Sequence, residues 1–291
     1  MGIALFGAFW SWVGFEMAPN YAEESREPRK IAKAATYSSV IGLGVFYVFV
    51  SYMFVTGWGL TGSAQAVADQ FEGVYASAFY PLTDKYVGGG LTTIVELLIV
   101  TSSFACAMAF YNTGARYLFA LGREGVLPGA LARTSSRHSP AVASMTVTAL
   151  VGIYCLAFVI YDPSNEGALL KLGTWSPLLG MLGILAIQAL VSVAIIRYFL
   201  TTGRAYFNVW STLIAPILGC LAMIVACVLL IVNRGDLAGA ADALYIQLLP
   251  WVVLAVFVVG VVLALALRAK APHRYQQIGQ FDLTEAEGVA A

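Results

Sequence analysis

The chain has 291 residues, 60% of them hydrophobic and 11% charged, against roughly 25% charged in a soluble domain, which excludes an ordinary soluble globular protein. Sixteen basic residues balance sixteen acidic ones, so no bulk field argues for a nucleic-acid partner. A mean hydropathy of +0.81 points to a lipid bilayer as the surrounding solvent.

In chain order, the first apolar run is Gly2 to Phe15, short of the about 20 residues that cross a bilayer. Glu16, Pro19 and Asn20 follow it, so it reads as an interrupted span. It has no basic leader and no small-residue cleavage site, and a signal peptide is not expected. Phe6 stands where a myristoylation signal requires Ser or Thr. Ala35 to Trp58 is the first span of full length. The connection 59–88 is too long and too apolar for a plain linker and is expected to be an external loop carrying one or two short helices. Further spans are expected at Leu91 to Leu118, Ala141 to Tyr161, Gly173 to Ile196, Leu213 to Val232 and Tyr245 to Leu267. Residues 269–291 are polar without an apolar period and are expected to form a disordered cytoplasmic tail. The fold class is therefore all-α integral membrane, with seven transmembrane helices over residues 1–268.

Basic residues concentrate on the cytoplasmic side of a membrane protein. The clusters Arg26 to Lys33, Arg116 to Arg137, Arg197 to Arg204 and Arg268 to Arg274 hold thirteen of the sixteen, and only Lys85, Lys171 and Arg234 fall on the other side. One missed or invented helix would exchange the sides beyond it. The bias predicts a multi-pass protein of the cell membrane with an external amino terminus and a cytoplasmic carboxy terminus. Cys106, Cys155, Cys220 and Cys227 all lie inside apolar runs without CxxC spacing, which gives neither a disulfide framework nor a metal site.

Ionisable groups inside spans are costly and mark function. Glu16 and Glu96 qualify, and two readings stand for each: a reversibly protonated group, or a hydrated carboxylate near a membrane surface. The first segment reads Phe9-Trp10-Ser11-Trp12-Val13-Gly14-Phe15-Glu16. A short hydrophobic segment interrupted by Gly points to a transporter binding site, where unwound backbone offers carbonyls and amides to a ligand. An ordinary helix with one glycine and interfacial tryptophans fits the same letters. In the third span, Ser103 lies roughly 20° and Phe110 roughly 40° from Glu96 around the helix at 100° per residue, so the three share a face. That face could line a hydrophilic path, or its Ser could bond back to its own helix. The two histidines, His138 and His273, lie in polar segments, and there is no HExxH or Walker motif. No enzyme and no cofactor is expected. A seven-helix receptor matches the helix count, but the last span has no Lys for a retinal Schiff base.

Two stretches carry a resemblance. Phe9 to Glu16 followed by Ala22-Glu23-Glu24-Ser25-Arg26-Glu27-Pro28-Arg29-Lys30-Ile31, and Gly114-Ala115-Arg116-Tyr117-Leu118-Phe119-Ala120-Leu121-Gly122-Arg123-Glu124-Gly125-Val126-Leu127-Pro128, resemble the sixth helix and the end of the eighth helix in permeases of the amino acid, polyamine and organocation superfamily. The likeness covers residues 1–268. It departs at Glu27 and Ala32, where the family has Asn and Pro. The resemblance implies a fold of two inverted five-helix repeats plus two helices, of which this chain supplies the second repeat and the extra pair.

Carried residue by residue, the resemblance makes Trp10 a gating aromatic and Ser11, Trp12, Val13 and Gly14 the unwound stretch that holds a substrate ammonium. Phe110 becomes an aromatic near the substrate, and Glu16 an acid near the gate. Glu96 and Ser103 join Glu16 as candidates for proton coupling or gating. The implied activity is movement of an amino acid or related amine by alternating access, coupled to protons or to exchange, with Ser102 and Ser103 leaving sodium open. The glycine-rich broken helix of the first repeat has no counterpart here, so the activity is expected to be incomplete without five preceding helices. The expected partners are the substrate, the bilayer, protons, and the missing half or another membrane subunit. A non-transporting half-permease that partners a membrane subunit is the alternative.

Overall fold

The computed structural model describes residues 7–24, 27–71, 76–136, 139–162 and 165–278. Residues 1–6 of the expected first span, Ser25 and Arg26 of the basic motif, and 279–291 of the expected tail lie outside the described residues. Among those described there is no β-strand. Among the described residues, six helices are long and apolar enough to cross a membrane: Lys30–Trp58, Gly89–Arg123, Ala141–Tyr161, Lys171–Thr201, Val209–Val232 and Leu244–Lys270. The chain is thus an all-α, multi-pass membrane protein.

Several helices outrun their apolar stretch, because backbone hydrogen bonding continues into the polar flank. One starts at Pro28 and not Ala35, with its proline in the first turn, where the missing amide costs nothing. Another starts at Asn165 and not Gly173. The interrupted first segment is a helical turn at 7–10, a break at 11–14 and a 3-10 run at Phe15–Glu24. At the other end the helix continues through Lys270, and a further short helix, Pro272–Gln277, stands where a structureless tail was expected.

The described chain divides into two units. One comprises the parts of Phe15–Arg123 and Leu127–Val147 that are described. Within it, the connection after Trp58 contains two short helices, Leu60–Phe71 and Phe79–Tyr86. Gly59, at φ +77, makes the turn between Trp58 and Leu60. The Trp58 indole donates to the Ala78 carbonyl at 3.2 Å and the Tyr86 hydroxyl to the Gly57 carbonyl at 3.0 Å. A Cβ on Gly57 would meet a Leu82 methyl at 2.7 Å, so glycine there lets the connection lie directly on the helix end. Apolar side chains such as Val48 and Phe49 remain exposed along Pro28–Trp58, the condition of a helix whose solvent is lipid.

The other unit comprises the described parts of Met1–Gly14, Glu124–Val126 and Thr148–Gln280. Its core is Phe158, Trp175, Leu178, Met181, Leu185, Ala226, Leu230, Ile246 and Leu249. Asn208 caps the π-helical turn Val209–Ile214 by accepting from the Trp210 and Ser211 amides at 3.0 and 3.2 Å, and the chain then runs directly into Ala215–Val232.

Candidate functional site

The interrupted segment is explained by its own hydrogen bonds. The Ser11 amide still bonds the Gly7 carbonyl in helical register at 3.0 Å. The Trp12 and Val13 amides then reach back only three residues, to Phe9 and Trp10, at 3.1 Å each, which tightens the final turn. Gly14 follows at φ +119, a backbone conformation that residues with a Cβ rarely adopt. The Ser11 hydroxyl donates to the Ala8 carbonyl at 2.8 Å, which steadies the turn from its side. The helix therefore ends between Trp10 and Gly14, and the backbone of 11–14 leaves helical register within an apolar sequence.

The unit's core holds this segment from behind. Phe9 and Trp10 pack against the buried cluster. Trp175 lies at its centre, 3% exposed. Its indole stacks on the Tyr245 ring with centroids 5.7 Å apart and donates to the Ala238 carbonyl at 3.1 Å. Phe158 meets Tyr154, Tyr245 and Trp175 edge-on at 5.1, 5.4 and 6.2 Å. The Tyr154 hydroxyl donates to the Ser176 hydroxyl at 2.9 Å and lies 2.7 Å from the Tyr245 hydroxyl. The Lys171 ammonium pairs with Asp162 at 2.5 Å and lies over the Tyr161 and Trp175 rings, 5.2 and 5.6 Å from their centroids. None of these residues stands out in the sequence, because aromatic letters in apolar runs read as lipid-facing or core. The one available signal was the density of hydroxyl-bearing and indole side chains near the ends of three spans.

The remaining candidates belong to the other unit. Glu96, Ser103 and Phe110 lie on the continuous helix Gly89–Arg123, so their shared face follows from helical geometry. Glu96 and Ser103 are exposed and Phe110 is half-buried. Ser102 bonds back to the Ile99 carbonyl at 3.1 Å. Glu16 is half-buried at the start of the 3-10 run. That run is tied to the Gly89–Arg123 helix by Arg116, whose guanidinium donates to the Asn20 carbonyl at 3.3 Å and lies 4.2 Å from the centroid of the Tyr21 ring. The Asn20 amide nitrogen and the Thr113 hydroxyl are buried without a hydrogen-bond partner among the described residues, a place where ordered water would restore the bonds. Arg116→Ala is expected to lower stability by about 1–3 kcal/mol, the range of a charge-assisted hydrogen bond and a cation–π contact. A thermal melt in detergent that matches the wild type would contradict the anchoring role.

The amino acid permease family matches residues 1–267. The chain belongs to that family. Among curated proteins this permease-family chain is 27% identical to a D-serine/D-alanine/glycine transporter of Escherichia coli (strain K12), over 60% of the chain and 35% of the relative. It is 25% identical to a probable GABA permease of Pseudomonas aeruginosa, over 50% and 29%. With a putrescine transporter of Haemophilus influenzae it shares 23% identity over 56% and 35%. The chain thus covers about a third of the length of these relatives. No solved structure matches it. The relatives are named as transporters and permeases, not enzymes, in keeping with the reading of the sequence.

Proposed function

We propose that this chain is part of a carrier that moves an amino acid or related amine across the cell membrane by alternating access. The observation that supports this most is the break at 11–14 with Gly14 at φ +119, inside a chain that matches the permease family. An interrupted membrane helix presents main-chain carbonyls, which suit an ammonium, and main-chain amides, which suit a carboxylate. In this reading Ser11, Trp12, Val13 and Gly14 recognise the substrate through the backbone and Trp10 gates access to it. Phe110, by the family resemblance, offers an aromatic face to the same class of ligand. The names of the three relatives given above cover D-serine, D-alanine, glycine, GABA and putrescine, all amine-bearing compounds, which supports this substrate class. The amino terminus is external and the carboxy terminus cytoplasmic, as the charge bias indicates.

Coupling to protons or to exchange is assigned to Glu16 and Glu96, with Ser103 about two turns from Glu96 on the same face. Glu16 stands two residues after Gly14 in the sequence. Glu16→Gln is expected to lower uptake more than Glu96→Gln does. Unaltered uptake by Glu16→Gln would remove that residue from the mechanism.

Since the chain covers about a third of its relatives, transport is proposed for an assembly in which further helices supply the other repeat. Residues 1–291 alone should insert into liposomes, because six helices have crossing length. They should carry no saturable flux of radiolabelled glycine, D-alanine, GABA or putrescine, because alternating access moves two repeats against each other. Saturable flux from this chain alone would show a complete carrier.

A further inference from the structure

We infer that Trp175, Tyr245 and Tyr154 are positioning residues for the substrate-recognition segment: they form a socket that holds Phe9 and Trp10 and thereby fixes the backbone of 11–14. The inference rests on the reading of 11–14 as that segment.

The Trp12 and Val13 amides reach back only three residues and Gly14 follows at φ +119, so the broken stretch does not take its direction from continuous helical bonding and depends on tertiary packing. Here Phe9 and Trp10, the two residues immediately before the break, pack against the buried cluster that contains Phe158 and Trp175, and Tyr154 and Tyr245 pack against the same cluster. The socket is itself locked from two sides. Stacking on Tyr245 and the bond to the Ala238 carbonyl fix the Trp175 ring in plane and rotation. The Tyr245 ring is fixed in turn by the hydroxyl contact with Tyr154, which also bonds Ser176.

Ala238 and Tyr245 come from the last part of the chain, beyond Val232. The final pair of helices therefore does more than add hydrophobic bulk: through Trp175 it reaches the segment that recognises substrate. Tyr245→Phe and Tyr154→Phe keep both rings and remove one hydroxyl each, so the core stays filled while the lock loosens. Trp175→Phe removes the indole donor and narrows the stacked face.

The test is amide hydrogen exchange on the full 291-residue protein in phosphatidylcholine nanodiscs, read on peptides covering 9–16. In Tyr245→Phe and Trp175→Phe these peptides should exchange roughly three- to tenfold faster, as expected for loss of one hydrogen bond. Peptides from Pro28–Trp58 and Gly89–Arg123 should not change. Unchanged exchange at 9–16, or acceleration everywhere, would overturn the socket, since general loosening marks a merely structural role. Uptake of radiolabelled glycine, D-alanine and GABA by cells carrying each variant at the native locus separates the two claims. Faster exchange at 9–16 with unaltered uptake leaves the socket standing and counts against the substrate reading.

Discussion

Gly14→Ala is expected to reduce substrate uptake roughly ten- to a hundredfold, with the protein still folded and inserted. The cause is backbone conformation and not space: a Cβ at this position meets nothing within 4 Å, yet φ is +119. Forcing a residue with a Cβ into such a region costs about 1–3 kcal/mol, which is a factor of roughly ten to a hundred in any equilibrium that needs that conformation. The strain would be relieved by moving the carbonyls of 11–13 out of the geometry proposed to hold an ammonium. Gly42 provides the control, since a Cβ there also meets nothing within 4 Å and its φ is not in the positive range. Gly42→Ala lies within a long helix and should be neutral or slightly stabilising, by up to about 1 kcal/mol. Introducing each variant at the native locus keeps whatever other helices the carrier needs. Equal uptake by Gly14→Ala and wild type would show that the positive φ serves no recognition.

Trp175→Ala should be the most destabilising single change in the unit that contains it, by about 3–5 kcal/mol. In lipid the hydrophobic effect does not drive helices together, so stability depends on close packing and on satisfied polar groups. Trp175 supplies both, at 3% exposure with its indole nitrogen bonded to Ala238. Its removal leaves a cavity bordered by Phe158 and Tyr245 and an unpaired carbonyl. Trp210, 66% exposed, gives the contrast, and Trp210→Ala should change stability by less than about 0.5 kcal/mol. Thermal unfolding in one detergent compares them. A Trp175→Ala melt close to that of Trp210→Ala would contradict the packing argument.

The six helices of crossing length among the described residues were legible in the sequence, because a bilayer demands long apolar runs. The break at Gly14 was one of two readings the letters allowed, beside an ordinary helix with one glycine, and the positive φ of Gly14 decides for it. What surrounds the break was not legible. Trp175 is remote in the chain from Trp10, and nothing in a local pattern says that Phe9 and Trp10 pack against the cluster that contains it. The Arg116 bond to Asn20 spans 96 positions; its two ends lie in or beside the motifs that carry the family resemblance, but letters alone do not show that they meet. The short helix Pro272–Gln277 escaped notice because its six residues, one of them proline and most of the others polar, have no apolar period to reveal them.

The most direct measurement of the central claim is uptake of radiolabelled glycine, D-alanine, GABA and putrescine by native cells, by cells with this gene disrupted, and by disrupted cells given back the wild type or Trp10→Ala. The account expects saturable uptake of at least one compound to fall on disruption, to return with the wild type, and to return with a weakened apparent affinity or not at all with Trp10→Ala. Uptake of all four compounds that is indifferent to disruption, or full rescue by Trp10→Ala with unaltered affinity, would contradict it.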